Sequence, residues 1–249
     1  SFYGIYKIYD KNGLRRLKHG NTLHGAQFLE KSKTKEALSY YHRNSPMGEY
    51  LTQDPFKDTH IALVGLGTGS LATYSKPGQH YDFFELDPLI GKIARTYFTF
   101  LSDAHGTLRM VYGDARLMLR KEPAEKYDAM IIDVFNSGAI PVHLLTVDAI
   151  REFRRILKPN GIIFFHVSNQ FIDLVPVLYA NAQILKMHPS IKSSSDENTP
   201  QRESTLWLAL MGKVNTYATL LIRLGWETAN PPPAKPWTDR SSSLISQIH

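Results

Sequence analysis

The chain has 249 residues, of which 43% are hydrophobic and 21% charged, with a net charge of +6 and no cysteine. Those proportions are ordinary for a soluble globular domain, and the length holds one large domain or one domain with a small appendage. They exclude disulfides and thiolate metal sites, and no apolar run reaches the roughly 18 to 20 residues that a membrane-spanning helix needs.

No signal-peptide pattern opens the chain, and a cytoplasmic location is expected. The basic residues are scattered. Only Leu14 to Lys18 and Arg151 to Arg155 cluster, and the second group fits a solvated helix face, so no nucleic-acid partner is expected. The chain begins at Ser1 rather than Met, which reads as a piece of a longer protein.

The first 30 residues read as β-structure. Phe2 to Tyr9 alternates large with small or polar residues, Asp10-Lys-Asn-Gly13 supplies a turn, and Leu14 to Lys18 and Thr22 to Leu29 predict two more strands. This is a small β-meander over residues 1–38, set before a main domain over 39–249. His19 and His24 are five apart, which on a single strand places them on opposite faces and argues against a shared metal site. Residues 31–37 read as a polar linker. Ser39 to Gly48, with apolar spacing through Leu51, predicts a short helix carrying Tyr40, Tyr41, His42 and Arg43.

From His60 the pattern alternates. Strands are predicted over 60–66, 81–85, 108–112, 127–133 and 161–167, and helices over 70–75, 88–97, 115–120 and 145–157. This order predicts an α/β fold, mostly parallel in its sheet, with helices on both faces. Residues 173–185 read as a helix, 187–204 as a mobile Ser-rich loop, 205–211 as a sixth strand and 215–224 as a helix. Pro231 to Pro236 then delivers Trp237-Thr-Asp239 and a short amphipathic tail.

The chain is organised around Ile61-Ala-Leu-Val-Gly-Leu-Gly-Thr-Gly-Ser70, followed by Tyr81-Asp-Phe-Phe-Glu85-Leu-Asp87. Strand, glycine turn, helix, strand and acid make the first half of a nucleotide-binding unit. Gly65, Gly67 and Gly69 let the backbone turn sharply and approach a ligand. Glu85, at the end of the second strand, is placed to accept hydrogen bonds from a ribose diol. Thr68, Asp87, Asp114, Asp133, Ser168 and Asn169 also fall at the carboxyl ends of strands, where such sheets bind ligands. Asp114 reads equally as a helix cap. Asp133 closes the apolar run Ala129-Met-Ile-Ile and precedes an irregular loop over 134–142 that reads as a cover for the site.

These stretches resemble the spermidine synthase family of polyamine aminopropyltransferases. The similarity is strongest to the bacterial branch in which such a domain is fused behind a transporter-like membrane region. The resemblance rests on His19-Gly-Asn-Thr-Leu-His-Gly-Ala-Gln27, Tyr40-Tyr-His42, Val64-Gly-Leu-Gly-Thr-Gly69, Phe84-Glu-Leu-Asp87, Tyr97-Phe-Thr-Phe-Leu101, Gly113-Asp-Ala115, Asp133 with Ala139 to Thr146, His166-Val-Ser-Asn169 and Trp237-Thr-Asp239.

The resemblance implies a Rossmann-like domain whose substrate is S-adenosylmethionine or its decarboxylated form, with no metal. Glu85 and Leu86 would hold the ribose, and Asp114 with Ala115 the adenine edge. Gly65, Gly67, Thr68 and Gly69 would lie under the ligand's tail. Gln27, Tyr41 and His42 would line the pocket from the N-terminal side, Tyr41 and His42 taking part in catalysis. Asp133 would contact the ligand and act as the catalytic aspartate. The resemblance also implies a homodimer, and a membrane domain in the full-length chain, of which this would be the cytoplasmic part.

Three departures stand out. Thr68 replaces an acid of the family's glycine turn, Asn136 and Gly138 stand where a second acid follows the catalytic one, and Arg43 replaces a glutamate after Tyr-His. A cationic amine in a partly desolvated pocket wants paired negative charge. An Arg43 facing the pocket would suit the intact, carboxylate-bearing ligand. Three readings follow: alkyl transfer of the aminopropyl type; methyl transfer or intramolecular cleavage of intact S-adenosylmethionine; and a non-catalytic ligand sensor on a fused transporter. The retained Asp133 argues against the last.

Overall fold

The computed structural model describes residues 4–20, 22–53, 58–134, 141–168, 172–195, 204–212 and 216–242. The N-terminal part is an antiparallel sheet of β1 (Tyr6–Lys11), β2 (Leu14–His19) and β3 (Thr22–Phe28), in that order. Asn12 and Gly13, both at positive φ, make the tight turn between β1 and β2, the geometry that matches the strands' own twist.

The main sheet contains β4 (His60–Val64), β5 (His80–Glu85), β6 (Thr107–Tyr112), β7 (Tyr127–Ile132), β8 (Leu157–His166), β9 (His188–Ser194), β10 (Thr205–Met211) and β11 (Glu227–Thr228). Their spatial order is β11-β9-β10-β8-β7-β4-β5-β6. Strands β4 to β8 pair in parallel, whereas β10 runs antiparallel to β8.

Alternate residues of the central strands enter two cores, one on each face. Ile61, Leu63, Ile131 and Phe164 pack with residues of α1 (Pro46–Gln53), α2 (Pro88–Tyr97) and α6 (Thr216–Arg223). Ala62, Val64, Ile132 and Phe165 pack on the other face with α3 (Ala115–Leu119), α4 (Val147–Ile156) and α5 (Val175–Leu185). A strand apolar at every position is what a sheet covered on both faces requires. The Rossmann-like α/β fold with a small antiparallel N-terminal sheet is therefore the observed one.

Local chemistry sets the helix starts. Asp87 caps α2 by accepting from Leu89 N, with Pro88 at the first position. Thr146 caps α4 through Ala149 N. Ser45 accepts from Gly48 N, and Pro46 follows it. That cap explains why the helix expected from Ser39 begins only at Pro46, leaving Tyr40 to Ser45 in turns.

Three further expectations are corrected. The helix expected over 70–75 is a single 3-10 turn, Ser70–Tyr74. The fifth strand, expected over 161–167, is β8 and starts at Leu157, taking in Pro159-Asn-Gly161. Residues 188–194 are not loop: they form β9, paired with β10 on one side and β11 on the other. Among the described residues no helix is long and apolar enough to cross a membrane.

Candidate active site

The sheet order reverses between β4 and β7, since β4 is followed in the chain by β5 on one side while β7 leads to β8 on the other. Connections that leave in opposite directions open a crevice beyond the strand ends. The glycine turn after β4 and Asp133 after β7 meet there. Gly65 N donates to Phe84 O and Asp133 N donates to Val64 O, each at 2.9 Å.

The turn tolerates no side chain at two of its glycines. Gly65 has φ 98°, and a Cβ there would lie 2.1 Å from the Asp133 carbonyl oxygen. Gly67 has φ 53°, and its Cβ would lie 2.5 Å from the carbonyl of His24. On the meander side, a Cβ on Gly25 would meet Thr68 Oγ1 at 2.4 Å. Backbone therefore packs on backbone, and β3 seats directly against the turn.

Behind this contact lies a cleft whose lining includes Tyr6, His19 and His24 from the meander, and Gly65, Gly67, Glu85 and Leu86 from the ends of β4 and β5. Asp87, Asp114, Asp133 and His143 complete its polar side, with Ala115 also in the lining. No lysine or arginine is among the described lining residues.

Each of the four carboxylates is held by protein donors. Glu85 accepts from Leu66 N at 3.0 Å and Asp87 N at 2.9 Å. Burial pushes its carboxyl above the ordinary range, opposed by those backbone N–H groups. Asp87 accepts from Leu89 N at 2.9 Å and from the Tyr6 hydroxyl at 3.0 Å. Asp114 caps α3 through Leu117 N at 2.9 Å, and His143 Nε2 lies 3.1 Å from its other oxygen.

Asp133 Oδ1 lies 2.7 Å from His166 Nδ1. The register of β7 and β8 pairs Ile132 with Phe165, so the next residues along, Asp133 and His166, fall side by side. His166 is 1% exposed and stacks on Trp207 of β10, with ring centroids 4.5 Å apart and planes 8° from parallel. Its Nε2 lies 2.8 Å from Thr205 Oγ1 and 3.0 Å from Ser168 Oγ.

Of the residues expected at the site, Gly65, Gly67, Glu85, Leu86, Asp114, Ala115 and Asp133 line the cleft together. Gln27, Tyr41, His42, Thr68 and Gly69 are not among its lining residues. Gln27 is occupied in bracing: its amide donates to Thr34 O and Thr99 Oγ1 and accepts from Thr99 N. Thr68 is buried beneath Gly25. Tyr41 is also buried, its ring 6.4 Å from that of His166, and His42 is buried with its carbonyl against Gly48. Arg43 is exposed and outside the lining, so the argument that it selects a carboxylate-bearing ligand loses its premise.

The sequence reading of His19 and His24 is also corrected. They lie on neighbouring strands, and the register shifts between Leu17 and Lys18, so His24 falls at the irregularity. The rings come to 5.8 Å of each other and both line the cleft. Burial pushes the His24 imidazole below its ordinary value, with Asp133 opposing. His166 stands at a strand end in the sequence, but only the pairing of β7 with β8 makes it the partner of Asp133. The loop after Val134, with Asn136 and Gly138, and Asn169 lie outside the described residues.

No family model matches the chain. Over 120 residues it is 35% identical to the polyamine aminopropyltransferase of Vibrio vulnificus, covering 46% of this chain and 38% of that protein. Over 148 residues it is 28% identical to an N-terminal histidine N-methyltransferase of Emericella nidulans, covering 57% of this chain and 26% of that protein. The chain thus spans well under half the length of either curated relative. Among solved structures, a probable spermidine synthase from Corynebacterium glutamicum superposes with a TM-score of 0.70 at 16% identity, over 97% of this chain and 95% of that one.

Proposed function

We propose that this chain, spermidine synthase-like in sequence and fold, binds a sulfonium nucleoside of the S-adenosylmethionine type and transfers an alkyl group of the aminopropyl type from it to an amine. The observation that carries the reading is the charge of the cleft: four carboxylates line it beside a glycine turn, with no lysine or arginine among the described lining residues. Among the described lining residues a dinucleotide or other phosphate ligand would meet histidines but no lysine or arginine, whereas a sulfonium or an ammonium meets negative charge. The name of the Vibrio vulnificus relative points the same way.

In this reading Glu85 takes the ribose hydroxyls, Asp114 and Ala115 the adenine edge, and the Gly65 to Gly69 turn lies under the tail. The ligand supplies its own leaving group. The amine nitrogen attacks the carbon attached to sulfur, the new C–N bond forms as the C–S bond breaks, and the bonding pair leaves on sulfur as a neutral thioether. Asp133 orients the amine and takes its proton. The meander over residues 1–38 serves as a unit that closes the cleft over the glycine turn.

A second reading keeps the cleft but uses intact S-adenosylmethionine, for methyl transfer or intramolecular cleavage. It is favoured by the glycine turn's lack of a carboxylate, position 68 being a threonine buried under Gly25 and outside the cleft lining, and by the name of the Emericella nidulans relative. Incubation with intact and with decarboxylated ligand, each with and without putrescine, separates the two when nucleoside products are identified by mass spectrometry. The first reading predicts methylthioadenosine only from decarboxylated ligand plus amine. Cleavage of intact ligand alone, or S-adenosylhomocysteine with an acceptor, would replace it with the second. Binding without turnover in every mixture would leave a sensor.

A further inference from the structure

We infer that His166 is a positioning residue for Asp133, locked as the neutral tautomer that carries its proton on Nδ1, and that Ser168 and Thr205 do the locking. The inference rests on the reading that Asp133 faces the reacting amine, and it adds the group that sets where that carboxylate points.

The tautomer follows from the partners. An ionised carboxylate only accepts, so the 2.7 Å contact to Asp133 Oδ1 requires a proton on His166 Nδ1. Ser168 Oγ accepts from Leu206 N at 2.7 Å, and its own O–H needs an acceptor. The nearest acceptor for that proton is His166 Nε2 at 3.0 Å, against 3.4 Å to Thr205 Oγ1 and 3.5 Å to Leu206 O. Thr205 Oγ1, 2.8 Å from the same nitrogen, offers a second hydroxyl. Nε2 thus has a hydroxyl donor at hand for its one lone pair, and Nδ1–H points at Asp133.

The ring cannot swing away. It is stacked on Trp207, and the Tyr40 ring centroid is 5.2 Å from its own. Three adjacent strand ends supply the chain of contacts: Asp133 after β7, His166 ending β8 and Thr205 opening β10. One carboxylate oxygen is held on the sheet side, and the Asp133 side chain, 16% exposed, keeps access to the cleft. Fixing a general base in this way matters because misplacement by about 1 Å can cost about 100-fold in rate.

Two measurements test the inference. Nitrogen-15 NMR of the histidine-labelled wild-type protein should show His166 with a protonated Nδ1 and an unprotonated Nε2. A proton on Nε2, in either the other neutral tautomer or the cation, would overturn it. In turnover assays His166→Leu should lower kcat by about 10- to 100-fold with KM nearly unchanged. His166→Asn, whose amide nitrogen takes the place of Nδ1, should recover most of that loss, and His166→Gln should not. Thermal melting of each variant monitors the fold, and the NMR test needs no variant at all. Equal losses in the Asn and Gln variants, or none in Leu, would overturn the positioning role. If Asp133→Asn itself turned over normally, the reading of Asp133 would fail instead.

Discussion

Gly65 and Asp133 touch through their backbones: a Cβ placed on Gly65 would fall 2.1 Å from the Asp133 carbonyl oxygen. The contact joins the glycine turn to the acid, so the position of one fixes the other. Gly65→Ala, at a φ of 98°, should force the two apart. We expect destabilisation of about 1–3 kcal/mol by thermal unfolding, together with a fall in turnover larger than stability alone accounts for. An alanine variant with wild-type turnover would show that this contact does not matter to the site.

Glu85→Gln should weaken binding of an adenosyl ligand about tenfold, because a charge-assisted hydrogen bond to the ribose is lost. Burial holds the Glu85 carboxyl above its ordinary value of 4.5. The ionised acceptor is therefore lost as pH falls, beginning above that value. Calorimetry should show wild-type affinity falling with decreasing pH in that region, and the Gln variant should lack the dependence.

Asp82 tests whether the opposite end of the sheet is structural only. Its Oδ2 lies 2.6 to 3.1 Å from donors of His60, Arg109, Lys126 and Tyr127, and those partners hold its carboxyl far below the usual range against the cost of burial. Asp82→Asn should cost about 1–3 kcal/mol, since it removes the charge of the buried acceptor that four donors share, while Arg109 and Lys126 keep Glu122 as a partner. Ligand affinity of the folded fraction should not change. A variant of unaltered thermal stability would show the network to be redundant.

The C-terminal segment is pinned by Arg116, which donates to both Asp239 and Glu152. Hydrogen bonds to Arg116 lower Asp239 to about 2, and those to Arg120 and Arg116 do the same for Glu152. Both carboxyls are depressed in the folded protein, so their stabilisation is complete above the ordinary carboxylate range and is lost as pH falls from about 4.5 toward 2. Asp239 is 41% exposed, and solvent screening limits its share to about 1 kcal/mol. Asp239→Asn should lower stability at neutral pH by that amount and flatten the acid limb, as followed by denaturant unfolding across pH.

Much of this was legible in the sequence because local signals agreed. Pro88 at a helix's first turn placed α2 over 88–97, and 205–211 read as the strand that is β10. The segment His188 to Ser194 did not read as a strand, because its sequence is polar and its pairing comes from β10 and β11. The cleft residues Gly65, Gly67, Glu85, Asp114 and Asp133 could be named because strand ends converge by topology. Gln27, Tyr41, His42 and Thr68 could not be placed that way, since whether a side chain faces a cleft or a core depends on neighbours distant in sequence. His166 needed the register of β7 against β8, which no spacing within either strand contains.

The most direct measurement is on Asp133→Asn, with binding and turnover read from the same preparation. The account predicts adenosyl-ligand affinity close to wild type and a kcat lower by about 100- to 10,000-fold, the range for losing a general base. Wild-type turnover in this variant would contradict it.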